Sequence, residues 1–174
     1  MSGTDRARWD ARFSGLGAGE PGAPGALVGR EHLLPAAGRA LDVACGRGTV
    51  AVWLARRGLR VDAVDVSPVG LAAGRSLAGA AAVHWIEADL DAGLPVAGPY
   101  DVVVFQRFRD PALYGPLVEA LAPGGLLVVS VRCEVGDEGG RFRAPPGELA
   151  TAFGSLDVLH QEEGHGEASI VARR

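Results

Sequence analysis

Leu41–Gly48, reading LDVACGRG, constrains this chain more than any other stretch. The short apolar run Ala40–Ala44 ends at two closely spaced glycines, and the helical stretch Thr49–Arg57 follows at once. A strand that feeds a glycine turn and then a helix brings backbone N–H groups and the helix N-terminus up to a ligand. Glycine is needed where the backbone bends sharply or comes close to that ligand. Nineteen residues after Gly46, at the end of a second strand-like run Arg60–Val66, stands Asp65. An acid there can accept hydrogen bonds from both hydroxyls of a ribose. Together these features predict an adenosine-containing ligand.

The rest of the chain repeats the alternation. Ser67-Pro68 supplies an N-cap and a first-turn proline for a helix running to about Leu77. Strands are expected at Ala82–Glu87, Tyr100–Phe105 and Leu126–Arg132, with a helix over Ala112–Leu121 broken by Pro123-Gly124-Gly125. A short helix is expected over 30–38 and another over Pro146–Phe153. Leu156–His160 and Ala168–Ala172 read as a final hairpin joined through Glu162–Glu167. Strand–helix alternation of this kind predicts an α/β, Rossmann-like, doubly wound sheet. Residues 1–30, a charged segment and a Gly/Pro-rich loop, are set apart from a single domain over 31–174.

Composition narrows the classes. The 174 residues fit one domain, and the net charge of −4 offers no overall basic face for nucleic acid. No stretch has the roughly 18 apolar residues of a membrane span, and the Arg- and Asp-rich start is no secretory signal. A cytoplasmic protein, monomeric or weakly dimeric, acting on a small molecule without nucleic-acid or membrane partners, is the expectation. The chain contains no lysine, which excludes a phosphate-loop lysine. Cys45 and Cys133 lack metal spacing, as do the four histidines, so no metal is expected.

Gly46-Arg47-Gly48-Thr49-Val50-Ala51 also matches the dinucleotide fingerprint, which leaves an NAD-dependent oxidoreductase as an alternative. Asp42 argues against it. A carboxylate four residues before Gly46 suits a cationic amino group and would repel a pyrophosphate. An acid followed by a glycine-rich turn, Asp65, the segment Glu87-Ala88-Asp89-Leu90, Tyr100-Asp101 and Leu121-Ala122-Pro123-Gly124-Gly125 together resemble class I methyltransferases. Ala44 departs from the family, which mostly has glycine there. Trp9-Asp10-Ala11-Arg12-Phe13 resembles the opening of the small tellurite-resistance and thiopurine-type members.

The resemblance implies a seven-stranded, mostly parallel sheet with an antiparallel C-terminal strand, and S-adenosylmethionine as cofactor. It implies cofactor contacts from the turn (Asp42, Ala44, Cys45, Gly46, Gly48) and from Asp65, Val66 and Ser67 after the second strand. Asp89 and Leu90 would lie at the adenine, Trp9 and Arg12 at the carboxylate end, and Gln106 beyond strand four. The N-terminal segment would fold over the cofactor. A non-catalytic S-adenosylmethionine-binding protein is the remaining alternative.

Several residues keep two readings. Asp42 either faces the cofactor's amino group or organises the turn through its amides. Asp89 either holds the adenine or caps a turn. Arg107, Arg109 and Arg141, with Arg132 and Arg143, are either surface charges or a pocket for an anionic acceptor, since arginine grips carboxylates through two parallel hydrogen bonds. Trp53 is expected in the core, Trp85 to pack on its strand, and Cys45 to fill the turn. No catalytic residue is named, because a thiolate or carboxylate acceptor needs no general base.

Overall fold

The alternating apolar runs become the strands β1 (Gly38–Val43), β2 (Leu59–Asp65), β3 (Val83–Glu87), β4 (Tyr100–Gln106), β5 (Leu121–Arg132), β6 (Asp157–Gly164) and β7 (Glu167–Arg173). The helices are α1 (Gly3–Ser14), α2 (Thr49–Arg56), α3 (Pro68–Ala78), α4 (Tyr114–Ala120) and α5 (Glu148–Phe153). This computed structural model describes residues 3–17, 19–136 and 142–174. The strands form a seven-stranded sheet in the order β3-β2-β1-β4-β5-β7-β6. β7 runs antiparallel to β5 and to β6, while β1–β2, β2–β3 and β4–β5 pair in parallel. The expected mostly parallel sheet with an antiparallel C-terminal strand is therefore present.

The chain divides into two compact units, residues 1–23 with 35–97 and residues 24–34 with 98–174. In the first, β1 buries Ala40–Val43 completely or nearly so, and α2 turns Val50, Ala51, Val52 and Leu54 inward. Trp53 lies on the opposite side of α2, half-buried, with the Arg57 guanidinium 4.5 Å from its ring centroid. It is thus a surface cation–π partner rather than the core residue expected. α3 starts as its sequence predicts, with Ser67 Oγ accepting from Gly70 N at 3.1 Å and Pro68 in the first turn.

In the second unit, Val102–Phe105 of β4 are fully buried, as a strand covered on both faces requires. Tyr100, Phe105, Leu117, Leu126 and Phe153 are the large side chains of this core. Pro123-Gly124-Gly125 falls within β5, which begins at Leu121, five residues before the expected start. The expected helix over 30–38 is a single 3₁₀ turn, Glu31–Leu33. Pro35 explains the stop, because it disfavours helical geometry at Leu34, which is extended at φ −73° and ψ 142°. The final hairpin is tighter than expected. Its strands run to Gly164 and resume at Glu167, and His165 and Gly166 both take positive φ (52° and 77°), the type I′ geometry. Among the described residues no helix is long and apolar enough to cross a membrane.

Candidate functional site

The turn after β1 is built on three left-handed residues in alternation, Ala44 (φ 57°), Gly46 (φ 57°) and Gly48 (φ 67°). Cys45 N donates to Val64 O of β2 at 3.0 Å, and Gly48 N closes the turn on Cys45 O at 2.9 Å. Ala44 explains why glycine suits its position. A β-carbon in this conformation costs roughly 1–2 kcal/mol, partly offset by the chain entropy that glycine loses. Ala44→Gly is expected to raise stability by about 0.5–1 kcal/mol, or roughly 1–4 °C in a melting scan. A lower melting temperature would show that Ala44 is not held in this conformation.

Asp65 ends β2 beside this turn. Its Oδ2 accepts from Gly46 N at 2.7 Å and its Oδ1 from Ser67 N at 2.9 Å. The side chain is fixed, yet each oxygen keeps a further lone pair, and 6% of the residue is exposed. Burial pushes its pKa up against the pull of the Ser67, Gly46 and Val66 amides, and the Asp10 charge adds to the rise. Val66 and Ser67 follow, both buried. Ala88 N donates to Asp65 O at 3.0 Å, which brings the end of β3 to the same place. Asp89 there caps a 3₁₀ turn, Leu90–Ala92, by accepting from Asp91 N at 3.0 Å, and Leu90 is buried.

Asp42 lies beneath the turn and is 1% exposed. Ala51 N–H of α2 donates to its carboxylate, while Oδ2 is buried with no hydrogen-bond partner among the described residues. Desolvation, opposed by the Ala51 amide and reinforced by Asp65, pushes its pKa up to about 8. Cys45 is likewise pushed upward by burial, then by Asp42 and Asp65, so its thiol stays protonated.

Helix α1 adds residues that the sequence reading left out. Ser67 Oγ–H donates to Asp10 Oδ1. A β-carbon on Gly46 would lie 3.3 Å from the Phe13 ring, and one on Gly70 only 2.9 Å from it. Trp9 stacks on Phe13 at 5.5 Å, with Arg8 and the exposed Arg12 at 5.5 and 5.6 Å from its centroid. Arg6 pairs with Glu87, and the Arg47 guanidinium donates to Gly17 O. Asp10 and Phe13 carried a signal in the helical spacing of the Trp9–Phe13 motif, but not their partners 57 and 33 residues away. Trp85 of β3 was also underread. Its ring fills the space in front of Gly48 and Gly74, where β-carbons would fall 2.3 and 2.5 Å from it.

The first unit thus gathers Trp9, Arg12, the turn, Asp65–Ser67 and Asp89–Leu90. Gln106, Arg107 and Arg109 belong to the second unit, and Arg141 lies outside the described residues. Gln106 ends β4, half-buried. Arg107 is exposed in the left-handed region (φ 58°), its N–H donating to Ser130 O at 2.8 Å. Arg109 is paired within the protein. Its Nε donates to Glu148 Oε1 at 2.8 Å and its Nη2 to Oε2, while Tyr114 Oη donates to Oε1 at 2.6 Å. These bonds hold the Glu148 carboxyl below its usual range against the effect of burial.

Residues 40–125 match the family described as "Methyltransferase domain". The chain is 36% identical over 138 residues to a ribosomal RNA small subunit methyltransferase C of Chromohalobacter salexigens, covering 72% of this chain and 38% of that protein. It spans less than half the length of the curated relatives it matches. The fold is similar to that of TehB from Haemophilus influenzae (TM-score 0.76, 18% identity, 87% of this chain and 62% of that one). It is also similar to magnesium protoporphyrin IX methyltransferase from Synechocystis with bound SAH (TM-score 0.66, 15% identity, 98% and 83%). The family match, the glycine turn and the strand order lead to one assignment: residues 40–125 form a methyltransferase domain.

Proposed function

We propose that this chain transfers the methyl group of S-adenosylmethionine to a small-molecule acceptor. The anchored Asp65 carboxylate carries the cofactor part of this reading. It is oriented by two backbone amides, is buried but for 6% of its surface and lies beside a turn of left-handed residues, which fits a ribose diol. The orphaned Oδ2 of Asp42 fits a ligand that brings a positive charge to the turn. Asp89 and Leu90 would hold the adenine, and α1 would lie over the cofactor with Trp9 and Arg12 toward its carboxylate. The cofactor supplies a methyl already activated on a sulfonium. The protein's part is to hold donor and acceptor in line, which can remove roughly 7–11 kcal/mol from a bimolecular barrier, and to exclude water.

On the acceptor side, Gln106 and Arg107 stand at the exit of β4, where ligands gather in open α/β sheets. Arg107 is exposed and suited to an anionic acceptor, whereas Arg109 is bound to Glu148. The net charge of −4 favours a small acceptor over ribosomal RNA. Labelled methyl transfer should appear with small thiol, oxyanion or carboxylate acceptors and not with ribosomal RNA. Label confined to RNA would overturn the small-molecule reading. Asp65→Ala should weaken S-adenosylhomocysteine binding tenfold or more, about 1.4 kcal/mol, by removing charge-assisted bonds to the ribose. Calorimetric affinity equal to that of the wild type would remove Asp65 from the site.

A further inference from the structure

We propose that Asp10 is a positioning residue of the cofactor site: its carboxylate holds the Ser67 hydroxyl and so fixes the start of α3 and the Asp65 carboxylate against the glycine turn. The inference rests on the reading above that Asp65 holds the cofactor ribose.

Ser67 is fully buried and its side-chain oxygen already accepts from Gly70 N at 3.1 Å. Its single proton needs an acceptor, since an unsatisfied buried hydroxyl is costly. Asp10, half-buried on α1, is that acceptor. The backbone of the same serine donates to Asp65 Oδ1, and Asp65 Oδ2 accepts from Gly46 N. One continuous network therefore runs from α1 through Ser67 and Asp65 to the turn. Phe13 stands three residues after Asp10, on the same helix face, and its ring packs against Gly46, at the far end of that network, and Gly70, whose N–H bonds to Ser67 Oγ. The helix is thus fixed to these elements by one polar and one aromatic contact, and only the polar one reaches the carboxylate. Asp10 also places a second negative charge near Asp65.

Stopped-flow dissociation of S-adenosylhomocysteine separates this role from a structural one. Asp10→Ala should speed dissociation about tenfold. Asp10→Asn keeps an acceptor oxygen for Ser67 and should restore dissociation to within about twofold of the wild-type rate. Ser67→Ala should match or exceed Asp10→Ala, and the double variant should be no worse than Ser67→Ala alone, because the two residues act through one bond. Melting of the cofactor-free variants checks that each remains folded. A wild-type chain that binds the probe and an Asp10→Ala variant that releases it at the wild-type rate would overturn this proposal alone. So would independent, additive effects of Asp10 and Ser67. A wild-type chain that does not bind the probe would overturn the cofactor reading, and this proposal with it.

Discussion

Gly48→Ala is expected to destabilise the cofactor-free protein by about 2–5 kcal/mol, lowering the melting temperature by roughly 5–15 °C. Two causes combine. Gly48 is held at φ 67°, where a β-carbon is strained, and that carbon would lie 2.3 Å from the Trp85 ring. The ring cannot simply move aside, because Gly74 lies against it and its own β-carbon position is 2.5 Å away. The glycine therefore answers first to an indole on β3 and only second to a ligand. A double variant checks this. Trp85→Ala alone should cost stability through lost packing, but it should remove most of the extra penalty of Gly48→Ala and leave only the backbone strain. Additive losses in thermal unfolding would mean that the ring does not press on Gly48. The same double variant reports on binding. Recovered affinity for S-adenosylhomocysteine would assign the bare backbone of Gly48 to the indole rather than to the cofactor.

Stability of the cofactor-free chain should fall as pH rises from about 4 to about 8, and Asp42 should be the main cause. Burial raises its pKa in the folded protein from 3.8 to about 8. The folded state then holds a proton that the unfolded state releases throughout this window, so unfolding gains ground as pH increases. The contribution is fully present below pH 4, is lost on the way to pH 8 and stays constant above it. Over the whole window it is on the order of 5 kcal/mol. Asp42→Asn cannot ionise and keeps an oxygen for the Ala51 amide. Denaturant titrations of both proteins should give similar stability near pH 4 and a widening advantage for the variant toward pH 8. A difference that stays constant with pH would mean that Asp42 is ionised in the fold and has a charged partner.

Much of the fold was legible because its signals are local. The runs ALDVA, RVDAVDV and YDVVVF stop where glycine, Ser-Pro or a polar stretch stops them, and those points became strand ends. The antiparallel last strand came through family resemblance, since hairpin periodicity alone does not say where a hairpin joins a sheet. Boundaries failed where tertiary pairing overrides propensity. β5 takes in Pro123-Gly124-Gly125, a sequence that reads as a break.

The candidate site divides along the same line. Asp42, Gly46, Gly48 and Asp65 were singled out together because the spacing of one strand–turn–helix–strand unit brings them to one place. Asp10, Phe13 and Trp85 were not placed at the turn, because each meets it across 33 or more residues of chain and single-residue patterns do not encode such contacts. Arg109 shows the same limit. Its sequence suggested a surface charge or a grip on an anionic acceptor, and the carboxylate it grips is Glu148, 39 residues away in the same chain.

The glycine turn and Asp65 are proposed to hold S-adenosylmethionine. Calorimetric titration of the purified chain with S-adenosylmethionine, S-adenosylhomocysteine and NAD tests it most directly. Both sulfur compounds should bind with micromolar affinity, and NAD should give no heat. Binding of NAD alone, or of none of the three, would contradict it.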